Sequence, residues 1–142
     1  EAWSIAMTLQ DVWPDVTDHD VRILATDIDA SVLATARRAT YPAEGVDSLP
    51  GDFGAKFFAR NDDRTYSVKD SLRKLVHFRT LNLLQDWPMK RKFDVIFCRN
   101  VVIYFDDAIQ TSLWPRFEAA LDGTTLAVTN TTPEQAEACA GQ

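Results

Sequence analysis

The chain has 142 residues, of which 46% are hydrophobic and 25% charged, and it carries a net charge of −6 at pH 7. That length predicts about one globular domain, able to bury roughly two-thirds of its unfolded surface without a disulfide or a metal. The acidic balance argues against a nucleic-acid partner, which needs clustered Lys and Arg, and no apolar run is long enough to cross a membrane. No secretory leader is apparent. Cys98 sits in an apolar stretch and Cys139 near the C-terminus, a usage that suits a reducing cytoplasm.

In chain order, Ile5, Leu9 and Val12 recur at helical spacing beside Ala2 and Ala6, and Pro14 closes the pattern, so an amphipathic helix is expected over residues 1–13. VRILAT, residues 21–26, reads as a strand ending in Asp27. Asp29 is placed to cap a second helix holding Val32, Leu33, Ala36 and Ala39, completing a βα unit. Residues 41–75 break the alternation with Pro42, Gly45, Pro50, Gly51 and Gly54. An inserted subdomain is expected there, with a short helix near Phe57 and one or two small strands around Tyr66 to Val68. A further strand, Val76 to Leu81, is followed by Asn82.

The most informative run is FDVIFCRNVVIYFDD, residues 93–107. Val95, Ile96 and Phe97 form an apolar run of the kind buried on both faces of a sheet, and it stops abruptly at Arg99 and Asn100. Asp106 and Asp107 suit the first turn of a helix with Ile109, Leu113, Phe117 and Leu121 on one face. Gly123 should stop that helix in left-handed geometry, and Pro115 should bend or restart it near Trp114. A last strand is read over Thr125 to Thr129, before a polar tail.

Three strand ends therefore present polar groups where open α/β sheets meet their ligands: Asp27, Asn82, and the pair Arg99 and Asn100. A strand-end acid can accept hydrogen bonds from both ribose hydroxyls, and Asn82 can read an adenine edge while Leu83 packs on the ring. Each has a plainer reading. Asp27 could cap the following helix, Arg99 and Asn100 could form a turn, and Tyr104 and Phe105 could be core aromatics. Cys98 reads as a core residue, and His19 and His77 lack the spacing of metal ligands.

ATDIDASVLATARRATY, FRTLNLL and above all FDVIFCRNVVIYFD resemble the chemotaxis receptor methyltransferases of the CheR type, and EAWSIAM is similar to the end of that family's first cofactor motif. The resemblance covers nearly the whole chain and weakens after Gly123. It implies a Rossmann-like α/β sheet with helices on both faces and a small inserted β-subdomain, the whole being a partial S-adenosylmethionine-dependent domain. It implies a cytoplasmic transferase that forms methyl esters on glutamate side chains of a chemoreceptor's cytoplasmic helices, with S-adenosylhomocysteine as product. Asp27 would hold the ribose and Glu1 the methionine amino group. Asn82, Leu83, Arg99 and Asn100 would line the cofactor site, and Arg99 and Tyr104 are the catalytic candidates, Tyr104 orienting the acceptor carboxylate.

Set against the family pattern, the first strand and its glycine loop and the N-terminal helical domain do not precede Glu1, so a preceding segment or a second chain is expected to complete the sheet. The C-terminal LDGTTLAVTNTTPEQ departs from the family's Pro-Gly-Gly and Gly-His-Ser-Glu segments. NDDRTYSV lacks the glycine with which some members dock a receptor's C-terminal tether, which implies a tether-independent member. Two rival readings stand beside this one. ILATDIDAS resembles the first motif of haloacid dehalogenase-like phosphatases, with Asp27 as nucleophile, Asp29 as general acid, and Asp106 and Asp107 helping to hold magnesium. The other is a non-catalytic remnant that binds the cofactor or a protein without turnover.

Overall fold

The computed structural model describes residues 1–123 and the backbone of 127–129, in two compact units, Glu1 to Asn82 and Leu83 onward. The first unit opens with helix α1 (Ala2–Val12), which ends before Pro14 as the sequence predicts, and Pro14 starts a 3-10 turn. The buried face is rotated from the expected one. Trp3, Ala6 and Met7 enter the core while Val12 is 74% exposed. Trp3 sets the rotation: its ring lies 5.5 Å from Phe78 and its indole Nε1 donates to the Ala36 carbonyl at 2.9 Å, so its large apolar body and its donor are satisfied together.

Strand β1 (Ile23–Asp27) is followed by α2 (Ala30–Arg38), whose N-cap is Asp29. Its carboxylate accepts from the Ser31 and Val32 amides at 2.7 and 3.4 Å, satisfying two of the donors a helix start leaves open. Ala39, expected inside the helix, instead ends it at φ 52°. The carbonyls at this end are gathered by Arg73, which donates to the carbonyls of Arg37, Arg38 and Val68 at 3.1, 2.6 and 3.0 Å.

The excursion that follows builds a three-stranded antiparallel sheet in the order β2-β4-β3, from β2 (Thr40–Pro42), β3 (Phe58–Arg60) and β4 (Thr65–Val68). Two short helices, α3 (Ala43–Asp47) and α4 (Phe53–Phe57), lie between β2 and β3, so the region is richer in helix and strand than the sequence suggested. The β3–β4 connection needs no glycine, because Asp62 accepts from the Arg64 and Thr65 amides at 2.8 and 2.7 Å and closes the turn itself. One turn of helix, α5 (Asp70–Arg73), leads into β5 (Val76–Thr80). β5 pairs with β1 in parallel, from Ile23 opposite Val76 to Asp27 opposite Thr80. Leu33, Leu72, Leu75, Val76 and Phe78 belong to the core of this unit, together with Trp3, Val46 and Phe57.

In the second unit, β6 (Ile96–Cys98) pairs in parallel with β7 (Ala127–Thr129), and a further parallel bridge joins Phe93 to Leu121. Cys98 is buried, but Val95 and Phe97 are 46% and 49% exposed, contrary to a strand covered on both faces. The pleat explains the division: Cys98 projects into the core with Val102, Leu113 and Phe117, and Phe97, its neighbour, projects from the opposite face.

Helix α6 (Asp107–Ala120) starts on Asp106, whose carboxylate accepts from the Ile109 amide at 2.9 Å. It runs through Pro115 without restarting. It ends before Gly123, with Leu121 already extended, so Gly123 serves a turn beyond the helix at φ 102°. Leu121 faces the bridge to Phe93 rather than continuing the helical stripe. The expected strand is seen at Ala127–Thr129; Thr125, Leu126, the tail and Cys139 lie outside the described residues. The parallel strand pairs, each with its helices, give an α/β architecture.

Candidate functional site

In the first unit, Asp27 occupies the carboxyl end of β1 and is half-buried. Its backbone carbonyl accepts from the Leu81 amide at 3.0 Å, and its side-chain Oδ1 accepts from the Asp29 amide at 2.9 Å. Asp29 in turn spends its carboxylate on the helix start, and those hydrogen bonds, the Ser31 contacts first, hold its carboxyl below the usual carboxylate range. The two acids are therefore divided in labour: Asp29 is the cap, and Asp27 keeps a carboxylate at the strand end. Thr80 is the register partner of Asp27, so Asn82, two residues on, leaves the adjacent strand at the same end. Glu1 immediately precedes α1, and its carbonyl accepts from the Ile5 amide at 3.0 Å.

In the second unit, Arg99 and Asn100 follow β6 directly. Asn100 takes φ 56°, a left-handed conformation that Asn tolerates better than most residues, and this turns the chain sharply off the strand. The turn is thus both structure and placement. A 3-10 turn, Val102–Tyr104, then buries Val102 and leaves Tyr104 78% exposed. The plain reading of Tyr104 as a core aromatic fails, whereas Phe105 packs against the core of this unit. Cys98 is the structural residue expected, with burial pushing its thiol up. Leu83 is half-buried against the same core.

Two features were missed in the sequence. An open concavity along α2, lined by Ser31, Val32, Thr35 and Ala36, contains none of the expected ligand-contacting residues, and no sequence motif marks it. Arg116 also reaches the Leu83 carbonyl at 2.6 Å, a contact between positions 33 apart in the chain that no local pattern signals.

Within the first unit, a carboxylate ending β1 and an amide leaving its parallel neighbour at the same end make the kind of strand-end arrangement at which α/β nucleotide-cofactor-binding domains meet their ligands. The hydroxyl-accepting oxygens of Asp27 suit the ribose of S-adenosylmethionine. More particularly, the chain belongs to the CheR methyltransferase family, since the family model for its SAM-binding domain matches residues 1–130.

The chain is 42% identical over 124 residues to a probable chemotaxis protein methyltransferase of Rhizobium etli, covering 85% of this chain and 46% of that protein. It is 40% identical over 123 residues to a chemotaxis protein methyltransferase of Borreliella burgdorferi, covering 85% of this chain and 44% of the relative. With the chemotaxis protein methyltransferase of Escherichia coli the identity is 36% over 121 residues, 82% of this chain and 42% of that protein. The chain thus spans about half the length of the curated relatives it matches. Membership sets aside the phosphatase reading, and Asp29 Oδ1 is instead the cap of α2.

Proposed function

We propose that the protein transfers the methyl group of S-adenosylmethionine to glutamate side chains of a chemoreceptor's cytoplasmic domain, forming methyl esters. The observation that carries this reading is Asp27: a half-buried carboxylate at the end of a parallel strand, with helix capping already delegated to Asp29. In this reading Asp27 accepts hydrogen bonds from the ribose hydroxyls, Glu1 meets the methionine amino group, and Asn82 and Leu83 meet the adenine edge and face. Arg99 and Asn100 line the cofactor at the end of β6.

The bound cofactor supplies an electrophilic methyl on a positively charged sulfur. A glutamate carboxylate is already a nucleophile at neutral pH, so no general base is required. The work left to the protein is alignment and exclusion of water. Tyr104, exposed and adjacent to the strand-end turn, offers a hydroxyl to orient the acceptor carboxylate, and the Arg99 guanidinium offers it charge-assisted hydrogen bonds. The cytoplasmic location follows from that substrate, and no helix among the described residues is long and apolar enough to cross a membrane.

The test is calorimetric titration with S-adenosylhomocysteine, followed by transfer of labelled methyl to a receptor cytoplasmic fragment and its release as methanol in base. Asp27→Ala should weaken binding about ten- to a hundredfold, the value of hydrogen bonds to a charged acceptor. Asp27→Asn keeps an oxygen for the Asp29 amide and separates loss of ligand contacts from loss of the turn. Undiminished binding in both variants overturns the assignment of Asp27. Binding without methyl transfer by the unmodified protein favours the non-catalytic reading.

A further inference from the structure

The stretch from Asn82 to Lys92 contains neither helix nor strand, so its path depends on side chains that grip it. Arg116, on the third turn of α6, is the principal grip. Its Nη1 donates to the Leu83 carbonyl at 2.6 Å, its Nη2 donates to the Gln85 carbonyl, and its guanidinium carbon lies 4.6 Å from the centroid of the Trp87 ring. The Trp87 Nε1 closes the arrangement by donating to the same Leu83 carbonyl at 3.2 Å, and its ring packs 5.2 Å from Phe117. One planar, permanently charged group thus fixes two carbonyls and one aromatic face of a five-residue segment. Lysine cannot reproduce this, having a single point of charge and no plane to stack.

We propose that Arg116 is a positioning residue for adenine recognition: it holds the main chain at Leu83 to Trp87 so that the Leu83 side chain meets the base at a fixed height. The inference rests on the reading of Leu83 as an adenine contact. Arg116 itself touches two backbone carbonyls and an indole, and acts on the ligand only through them. Loss of Arg116 therefore lowers cofactor affinity and raises the KM for S-adenosylmethionine, while kcat, set at the distant methyl group, stays near its original value. A purely structural arginine would lower thermal stability and leave the KM of the folded enzyme unchanged.

Three variants decide the matter: Arg116→Gln, Arg116→Lys and Leu83→Ala, each measured for S-adenosylhomocysteine binding, KM and kcat at a temperature well below its own unfolding. Arg116→Gln should weaken binding about tenfold and Arg116→Lys less, with the loss carried in KM. If Arg116→Gln does not fold, Arg116→Lys, which keeps the charge, decides alone. Weakening by Leu83→Ala with no change from either Arg116 variant overturns the positioning role. So does an Arg116 effect on kcat or on melting temperature alone. Unchanged binding in Leu83→Ala overturns the adenine reading of Leu83 and this inference with it.

Discussion

Two aspartates separated by a single residue have opposite duties, and the difference is visible in their hydrogen bonds. Asp29 is held ionised by the Ser31 and Val32 amides, so its carboxyl titrates below the ordinary value of 3.8. A carboxyl with a lowered folded-state pKa binds fewer protons folded than unfolded. Its contribution to stability is complete above 3.8 and is lost as pH falls through the lowered folded value. Asp29→Asn should therefore flatten the acid limb of the stability-against-pH curve, measured by urea unfolding at a series of pH values below about 5. An unchanged acid limb would show that the cap does not carry charge-dependent stability. Asp62 behaves in the same sense, lowered chiefly by the Arg64 amide, and provides the second slope in the same experiment.

At the scale of elements, what the sequence could reveal was decided by local chemistry. Asp29 and Asp106 were legible as helix starts because a short acid before an apolar-periodic run has few other uses, and both accept the expected amides. The strand ends at Asp27 and Arg99 were legible because apolar runs stop there. The rotation of α1 was not, since Trp3 faces the core through contacts with Phe78 and Ala36, far away in sequence. For α6, Pro115 was expected to bend the helix or restart it near Trp114; it does not restart, and the helix continues to Ala120, its buried Leu113 and Phe117 bracketing the proline. Packing outweighs the lost Thr111 carbonyl bond. Proline inside a helix costs about 3 kcal/mol, and its stiffness in the unfolded chain returns less than about 1 kcal/mol of that. Pro115→Ala should accordingly raise stability by about 2 kcal/mol, read as a higher urea midpoint at constant m-value. A decrease would mean that the carbonyl at position 111 is better satisfied with the proline present.

For the whole molecule, the question is how such a domain would find its substrate. The surface is acidic overall, and the small antiparallel sheet carries adjacent carboxylates, Asp62 and Asp63, at the tip between β3 and β4. The tip is closed by its own side chains. The Asp62 carboxylate accepts from the Arg64 and Thr65 amides and from the Thr65 hydroxyl at 3.0 Å, while the Asn61 side chain bonds Thr65 and Ser67 at 3.3 and 2.9 Å. A loop that captures an extended peptide by main-chain pairing must offer unspent amides, as a glycine-rich turn does. Those of Arg64 and Thr65 are already committed, and docking there would break bonds to a carboxylate that is ionised at neutral pH. Methylation of a receptor cytoplasmic fragment should then proceed at the same rate whether or not the fragment keeps its C-terminal extension, measured as base-labile methyl incorporated per unit time at substrate concentrations below KM. A rate that falls on removing the extension, and is restored by placing glycine at Asp62 and Asp63 for a loop that can open, would show instead that this tip is a docking element closed by its own side chains.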